Sequence, residues 1–320
     1  MLFVFIFITI ASLILSLSQG RIALHLTDWI HLCSLHANDL NNQILFRIRL
    51  PRTFSAFVTG GLLGLAGTLM QALLKNPLAD PYILGISSGG ALMALLSIIL
   101  GVSSIYLTIW TWCGCLIMMG IIFYLNKNTF QPERLLLTGV LLGSASAAMI
   151  SFLLVISDDK TLHSLLFWLL GDLSEATFPV TGCIILMIAL IISLFLASSL
   201  NLLVRGEKEA KALGLNIAQL HKILFFLSAL ITAAAVATSG TIGFVGLMIP
   251  HLIRLLCGYD HKIVLPGSVL LGGSLLTVAD TLSRTLFSPL EIPVGISTAL
   301  IGIPVLLFLL QKNSYYAQTA

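Results

Sequence analysis

Charged side chains are scarce in this chain of 320 residues. Asp, Glu, Lys and Arg make up 9% of the sequence, hydrophobic residues make up 58%, and the mean hydropathy is +1.06. Soluble domains carry about 25% charged residues, and a soluble protein with so few could not cover its surface with polar groups. The net charge of +3 is also too small to indicate nucleic-acid binding. We therefore exclude a soluble enzyme, a disordered protein and a nucleic-acid binder, and we expect an integral membrane protein.

The sequence also lacks short motifs that carry nucleotide and metal chemistry. It has no Gly-Lys dipeptide and hence no P-loop, no Gly-x-Gly of a dinucleotide fingerprint, and no His-Glu-x-x-His zinc motif. The spacing of His25, His31 and His36 does not fit one helical face, so we predict no metal site there. We expect a chain that is not an enzyme and that needs no cofactor and no metal of its own.

Long apolar runs dominate what is present. They are continuous rather than alternating, which predicts helices and not the strands of a barrel. A further stretch at 162–171 is too short to span a bilayer, which takes roughly 20 residues, and is typical of a re-entrant or interfacial piece. We predict an all-α integral membrane protein that forms a single domain over 1–320. About ten transmembrane helices are expected, at 2–18, 54–74, 83–101, 105–125, 135–156, 180–204, 223–239, 242–258, 263–282 and 294–310.

Basic residues in the loops predict the orientation of these spans. The segment 205–222 is the densest basic loop, and short loops rich in Lys and Arg lie on the cytoplasmic side. An even number of spans then puts both termini on the cytoplasmic side. The segment from Arg47 to Arg52 falls on the opposite side and departs from this rule, so its arginines require another explanation.

Carboxylates are nearly missing from the predicted spans. Asp280 alone lies clearly inside one, and it precedes Arg284 by four residues, a spacing that fits an ion pair on one helix. The pair could neutralise itself structurally or act at the outer mouth, and the sequence leaves both open. An ion-coupled secondary transporter would keep several acidic residues in its spans. A transporter with this sequence must therefore take its energy from another chain.

Small residues recur at helical spacing. Gly60-x-x-x-Gly64 and Gly139-x-x-x-Gly143 each place glycines on one helix face, which lets helices approach closely in lipid. The span 135–156 carries small residues on every side between Gly143 and Ala148, more than one packing face requires. Close packing explains most of these glycines, and the lining of a path is the alternative for this span.

Several segments occur in an order that resembles a known family. Together they cover 47–311, and as an ordered set they are similar to the permease subunits of bacterial ABC importers for iron–siderophore complexes, haem and cobalamin, the FecCD family. The segments are Arg49-Leu-Pro-Arg52, Met70-Gln71, Asn76-Pro-Leu-Ala-Asp-Pro81, Leu84-Gly-Ile-Ser-Ser-Gly-Gly-Ala91, Phe167-Trp-Leu-Leu-Gly-Asp172, Ala212-Leu-Gly-Leu-Asn216, Ser239-Gly-Thr-Ile-Gly-Phe-Val-Gly-Leu-Met-Ile-Pro-His251, Arg254, Asp260-His-Lys262, Asp280 to Arg284, Pro293-Val-Gly295 and Gly302.

The resemblance implies an architecture and a set of partners. It implies a type II ABC importer permease in the bacterial inner membrane, surrounded by lipid and working as a homodimer with the path at the dimer interface. Two ATP-binding cassette subunits would dock on the cytoplasmic side, and a periplasmic substrate-binding protein would deliver an iron chelate such as a siderophore. Haem, cobalamin or an oxyanion such as molybdate are alternative substrates. A secondary transporter is a weaker alternative, and a membrane-embedded enzyme would need a polar cluster that we do not find.

The resemblance also implies roles for particular residues. Arginines at the outer mouth would meet glutamates of the binding protein, although anchoring to lipid headgroups is an alternative. The loop 205–222 would couple to the ATPase, with a plain surface helix as its alternative. Within it, the acidic residues at the start of 207–216 and the glycine at 214 predict a helical turn that ends at this glycine. The residues expected at the docking site are Arg49, Arg52 and Arg284; at the coupling site Glu207, Ala210, Gly214, Leu215 and Asn216; and along the path Gly139, Gly143, Ser144, Ala147 and Gly302.

Overall fold

A computed structural model describes residues 1–20, 43–127, 130–174, 176–286 and 289–318. The described ranges contain helices joined by turns, and they contain no strand. The three histidines that we examined as metal ligands lie outside the described residues. The all-helical prediction is confirmed.

The helices follow the predicted apolar runs closely. A π-helical turn, Leu45–Arg49, runs directly into the second helix, and a 3-10 turn, Pro81–Leu84, precedes the third. The helices are α1 Leu2–Ser18, α2 Leu50–Leu74, α3 Ile86–Ile99, α4 Ser104–Asn126, α5 Pro132–Ile156, α6 Asp159–Leu169, α7 Val180–Phe195, α8 Ala197–Arg205, α9 Glu207–Ala212, α10 Ile217–Ser239, α11 Val245–Cys257, α12 His261–Thr285 and α13 Val294–Gln318.

Helix length divides the predicted spans into groups. Among the described residues, α2 with its π-turn, α4, α5, α10 and α12 are each long and apolar enough to cross a membrane alone. The pair α7 and α8 meets the same test together, with a bend of 55° between them. The apolar helices α1, α3 and α11, and α13 over Val294–Leu309, are shorter. These elements coincide with the predicted runs, and α6 is the predicted short piece that does not span.

Helix α2 lies at the centre of the bundle, with 89% of its apolar window buried. It packs against α12, α10, α11 and α7. A Cβ atom on Gly60 would lie 2.2 Å from the Gly272 carbonyl oxygen, and one on Gly64 would lie 2.3 Å from that of Ser268. Because no side chain fits at these distances, the two glycines let α2 and α12 touch backbone to backbone. The packing interpretation of the Gly60-x-x-x-Gly64 motif is confirmed.

Helix α5 has the opposite environment. Only 11% of its apolar window is buried inside the chain, compared with 28% for α4. Large side chains such as Leu141, Phe152 and Val155 are exposed on it. In an apolar helix such exposure means that lipid or another protein chain covers the surface.

Three non-helical segments, which follow α6, α10 and α12, are hydrogen-bonded to one another through their backbones. The amide of Asp172, after α6, donates to the carbonyl of Ser239 at the end of α10 over 2.9 Å. The amide of Val294, at the start of α13, donates to the carbonyl of Gly171 over 3.0 Å. Non-helical backbone is tolerated at membrane depth only where the protein itself satisfies its polar groups. These bonds therefore allow helices to begin and end inside the bundle.

Candidate functional site

A buried carboxylate organises the end of the bundle at which α1 finishes and α2 starts. Asp280, on α12, is fully buried. The Arg52 Nε atom donates to both carboxylate oxygens of Asp280, at 3.0 and 3.2 Å, and its Nη1 atom donates to Glu291 Oε2 at 2.9 Å. A guanidinium that donates hydrogen bonds to both oxygens of a carboxylate is among the stronger hydrogen-bond arrangements in proteins. We call Arg49, Arg52, Asp280, Arg284 and Glu291 the arginine cluster.

The other two arginines join the same cluster to α1. Arg284 Nε lies 3.5 Å from Asp280 Oδ2, which confirms the predicted pair at i, i+4. Its Nη2 atom donates to Ser16 Oγ over 2.9 Å. Arg49 Nη1 donates to the carbonyl of Leu17 over 2.9 Å, at the C-terminus of α1 where a positive charge is favourable. The cluster therefore fastens the end of α1, the start of α2 and the end of α12 together.

Burial changes the interpretation of these arginines. We expected Arg49, Arg52 and Arg284 to meet a binding protein at the outer mouth, and within the chain they are buried, at 4%, 9% and 7% exposed. Arg52 and Arg284 turn toward the carboxylate Asp280, which is stable inside a membrane only with charged partners, whereas Arg49 bonds to carbonyl groups of α1. This need was the sequence signal for an internal role of Arg52, and it was missed; for Arg284 a structural pair with Asp280 was one of the two alternatives left open. Burial also disfavours anchoring to lipid headgroups. Contact with a binding protein remains a prediction.

The predicted coupling segment forms a short helix between two glycines. Gly206, with φ of 122°, precedes α9, and Gly214, with φ of 86°, follows it. Ala210 is buried, and its carbonyl accepts the amide of Leu215 over 3.0 Å after the turn at Gly214. This geometry confirms the predicted helical turn with a glycine stop. The Asn216 side chain then accepts the amide of Gln219 over 3.1 Å and caps α10.

Glu207 has a partner that the sequence did not reveal. The Lys75 Nζ atom donates to Glu207 Oε1, and His221 Nε2 lies 3.9 Å from the same oxygen. The hydrogen bond from Lys75 is the main reason why the pKa of Glu207 is lowered. Lys75 and Glu207 are 132 residues apart, so no local pattern could indicate this contact.

The turn Asn76–Pro81, next to Lys75, is tied into the bundle from both sides. The Gln71 side-chain amide donates to the Ala79 carbonyl over 3.3 Å and to the Leu247 carbonyl over 3.0 Å. Asp80 accepts the amide of Tyr82 over 2.8 Å, and burial raises the pKa of Asp80 to about 6. This turn therefore links α2, α3 and α11.

The predicted path residues do not share one surface. A Cβ atom on Gly139 would lie 2.6 Å from the Leu84 Cα atom, and one on Gly302 would lie 2.8 Å from the Phe244 Cβ atom. These two glycines make close packing contacts inside the chain. Gly139 is on α5, and so are the other three residues, of which Gly143 is half-buried and Ser144 and Ala147 are exposed. A role in the path remains a prediction for all five residues.

Metal-ligating side chains are dispersed through the described part of the chain. Among these residues, no three His, Cys, Asp or Glu side chains come together as possible ligands of a metal ion. Cys115 is buried and Cys113 is exposed, although both are on α4. The described residues thus contain two groups of interacting charged side chains, the arginine cluster and the contacts of Glu207. They also contain an exposed strip of small residues on α5.

Comparisons with known proteins extend over nearly the whole chain. The model of the FecCD transport family matches residues 8–312, a range that includes the arginine cluster and α9. The hemin transport system permease protein of Yersinia pestis is 41% identical over 317 residues, covering 96% of this chain and 95% of the relative. The molybdate import system permease protein of Haemophilus influenzae is 37% identical over 310 residues, covering 93% and 91%.

A solved structure is similar over the same range. It is described as an inward-facing conformation of a metal-chelate type ABC transporter, and it matches with a TM-score of 0.85 and 35% identity. The match covers 97% of this chain and 98% of the other. Sequence and fold comparisons therefore agree.

Proposed function

The chain is an ABC importer permease that belongs to the FecCD transport family, and we propose that its substrate is an iron chelate. The observation that carries this proposal is the 41% identity with a permease named for hemin transport, an iron chelate, over almost the full length of both chains. A ferric siderophore is the other iron chelate to test. The relative named for molybdate import makes an oxyanion the second candidate class.

The mechanism that we propose is passage of the chelate between two copies of the chain. Ser144 and Ala147 are exposed on α5, and this helix buries little of its surface within the chain. A second copy would cover this surface and form a path of small, weakly interacting side chains. Such a path suits a bulky substrate, because a substrate that binds tightly within a path cannot leave it readily.

The energy for transport would come from two ATPase subunits. The chain has no P-loop of its own, and α9 offers a short helix with exposed charged residues as their docking element. The basic loop around α9 supports a cytoplasmic location for it and for both termini. A periplasmic binding protein would then dock at the opposite end, near the arginine cluster, and the whole assembly would lie in a bacterial inner membrane.

Substrate uptake tests the proposed function. The complete importer would be reconstituted in proteoliposomes with its binding protein, and uptake of haem, a ferric siderophore, cobalamin and molybdate would be measured in parallel. We expect ATP-dependent accumulation of an iron chelate, with no uptake when ADP replaces ATP or when the binding protein is omitted. Accumulation of cobalamin or molybdate alone would contradict the proposed substrate. Uptake driven by an ion gradient without ATP would support a secondary transporter.

The subunit composition is tested separately by native mass spectrometry of the purified importer. We expect a particle with two copies of this chain and two ATPase subunits. A particle that lacks the ATPase in several detergents would contradict docking at α9. A particle with one copy of this chain and one paralogue would replace the homodimer by a heterodimer.

The docking role of the arginine cluster is tested through binding-protein affinity. Arg49 is the most informative position, because its guanidinium bonds to carbonyl groups at the end of α1 rather than to Asp280. We expect Arg49→Glu to weaken binding by about five-fold at low salt, as for single ion pairs at a protein surface. Arg49→Lys, which keeps the charge, is the matched control. Unchanged affinity in a correctly folded Arg49→Glu protein would contradict docking at this position.

A further inference from the structure

Helix α9 is attached to the rest of the chain in an unusual way. The glycines on either side of it have positive φ angles, and a Cβ atom at Gly206 or Gly214 would meet nothing within 4 Å. Of the residues of α9, only Ala210 is buried. Few packing contacts therefore resist a movement of this helix, and its flanking glycines have the conformational freedom to permit one.

Ion pairs from α9 to other helices depend on one residue. Within the described ranges this residue is Glu207, which pairs with Lys75 at the end of α2; His221 on α10 lies near it and forms an ion pair only when its imidazole is protonated. Lys208, Glu209 and Lys211 are exposed on the same helix and make none within the described chain. The Nε2 atom of His221 is buried without a hydrogen-bond partner there, and it lies 3.9 Å from Glu207 Oε1. Glu207 is thus the polar link between α9 and the bundle.

Lys75 connects Glu207 to α2, which is the most buried of the helices long enough to span a membrane. It is the residue at which α2 ends, and its backbone is left-handed, with φ of 49° and ψ of 34°. This conformation is uncommon for a residue with a Cβ atom, and persists where surrounding contacts determine it. The amides of both Lys75 and Asn76 donate to the Gln71 carbonyl. Gln71 in turn holds the turn Asn76–Pro81 and α11 through its side chain.

We propose that Lys75 and Glu207 are positioning residues that transmit movements of α9 to the end of α2 and to the turn Asn76–Pro81. The proposal rests on the proposed docking of an ATPase at α9, and it adds the route by which that docking acts on the bundle. When the ATPase moves α9, the Lys75–Glu207 pair pulls on a residue whose backbone is fixed to Gln71. The turn that joins α2 to α3 then moves with it.

The alternative is that the pair is a surface contact without influence on transport. Its side chains are 46% and 34% exposed, so such a contact would contribute little to folding. The two possibilities differ in the amount of substrate moved per ATP, which a surface contact would leave unchanged. They do not differ in stability, so stability serves as the check that each variant is folded.

A charge-reversal cycle tests the proposal in the complete importer. The variants are Lys75→Glu, Glu207→Lys and the double reversal, and Lys127→Glu is the matched control. Lys127 is an exposed lysine at the end of α4 that makes no ion pair among the described residues. For each variant, bound ATPase subunits, ATP hydrolysis, substrate moved per ATP and the melting temperature would be measured.

We expect each single reversal to keep its ATPase subunits and its melting temperature, and to move less substrate per ATP by about five-fold or more, the lower range of coupling between sites. The double reversal restores the pair, and we expect it to recover to within about two-fold of the unmodified importer. Lys127→Glu removes only the contact between its Nζ atom and the Tyr124 ring, and the substrate moved per ATP should stay unchanged.

Three results would overturn the proposal. Single variants that move normal amounts of substrate per ATP would show that the pair transmits nothing. A double variant that performs no better than the singles would show that the two residues do not act as a pair. Single variants that lose their ATPase subunits would make Glu207 a docking residue instead. An unmodified importer without ATPase subunits would be a different result, because it contradicts the proposed function itself.

Discussion

The two polar clusters of this chain both pair carboxylates with basic side chains, but in opposite environments. In the arginine cluster, the side chains of Arg52 and Asp280 are 11% and 1% exposed. In the pair beside α9, those of Lys75 and Glu207 are 46% and 34% exposed. Removing one partner of a buried pair costs about 3–5 kcal/mol, because a charge remains buried alone. Exposed pairs contribute about 0–1 kcal/mol.

This difference separates a fixed part of the molecule from a movable one. The arginine cluster joins α1, α2 and α12 at one end of the bundle. If one of these helices shifted there, a buried charge would lose its partner. The pair at Glu207 is partly exposed to water, so its side chains can follow a movement of α9 without leaving a buried charge unpaired. A transporter needs both kinds of contact, since one region must hold its shape while another follows the energy source.

The largest expected effect comes from removing the buried carboxylate. Asp280→Asn keeps the size of the side chain but leaves Arg52 and Arg284 without their shared counterion. We expect the free energy of unfolding to fall by about 3–5 kcal/mol, measured as a lower melting temperature in detergent. The control is Asp159→Asn, at an exposed position in the first turn of α6, where we expect at most about 1 kcal/mol. Equal losses in both variants would remove the distinction between the two clusters.

The next effect concerns the helix contact that supports the arginine cluster. Gly60→Ala would place a Cβ atom 2.2 Å from the Gly272 carbonyl oxygen, so α2 and α12 must separate. We expect a loss of about 1–3 kcal/mol, as for other overpacked positions, because the helices that carry Arg52 and Asp280 move apart. The control Gly120→Ala, on α4, meets nothing within 4 Å and should be neutral or slightly stabilising. A melting temperature unchanged by Gly60→Ala would contradict the close contact.

Sequence reasoning succeeded where the cause was local or compositional. The apolar runs coincide with helices because a chain surrounded by lipid must satisfy its backbone within each helix. The pair Asp280 and Arg284 was predictable because four residues separate neighbours on one helix face. The glycine stop after α9 follows from the left-handed conformation of Gly214.

The remaining features depend on chain segments that are far apart in the sequence. Arg52 and Asp280 are 228 residues apart, and only the folded bundle brings α2 against α12. We expected this arginine to contact a binding protein, and no local pattern predicted that it would turn inward. The rule that an intramembrane carboxylate needs a partner pointed the other way. Lys75 and Glu207 gave no such signal, because exposed charges need no partner.

A smaller effect separates the ion pair from the backbone at Lys75. Lys75→Ala removes the pair with Glu207 and keeps a Cβ atom in the left-handed region. Lys75→Gly removes the same pair but relieves that conformation, which is worth about 1–2 kcal/mol. We therefore expect Lys75→Gly to melt at a higher temperature than Lys75→Ala. Because both variants lack the pair, the reverse order would mean that the left-handed backbone at Lys75 carries no strain that glycine relieves.

The last contrast compares Asp80 and Glu207 through their pH dependence. Burial raises the pKa of Asp80 from 3.8 to about 6 in the folded protein. The folded state then binds more protons than the unfolded state between these values, so stability declines as pH rises from about 4 to about 6. Asp80→Asn keeps the cap on Tyr82 and should be stabilising above about pH 6, with an advantage that shrinks toward pH 4.

Glu207, whose pKa is lowered mainly by the hydrogen bond from Lys75, should behave in the opposite way. Glu207→Gln should be less stable than the unmodified chain at neutral pH, and the difference should vanish as pH falls through the pKa of Glu207. Melting curves of both variants against pH, each taken relative to the unmodified chain, measure the two slopes. Slopes of the same sign would mean that the two carboxylates do not differ in environment as the structure has them.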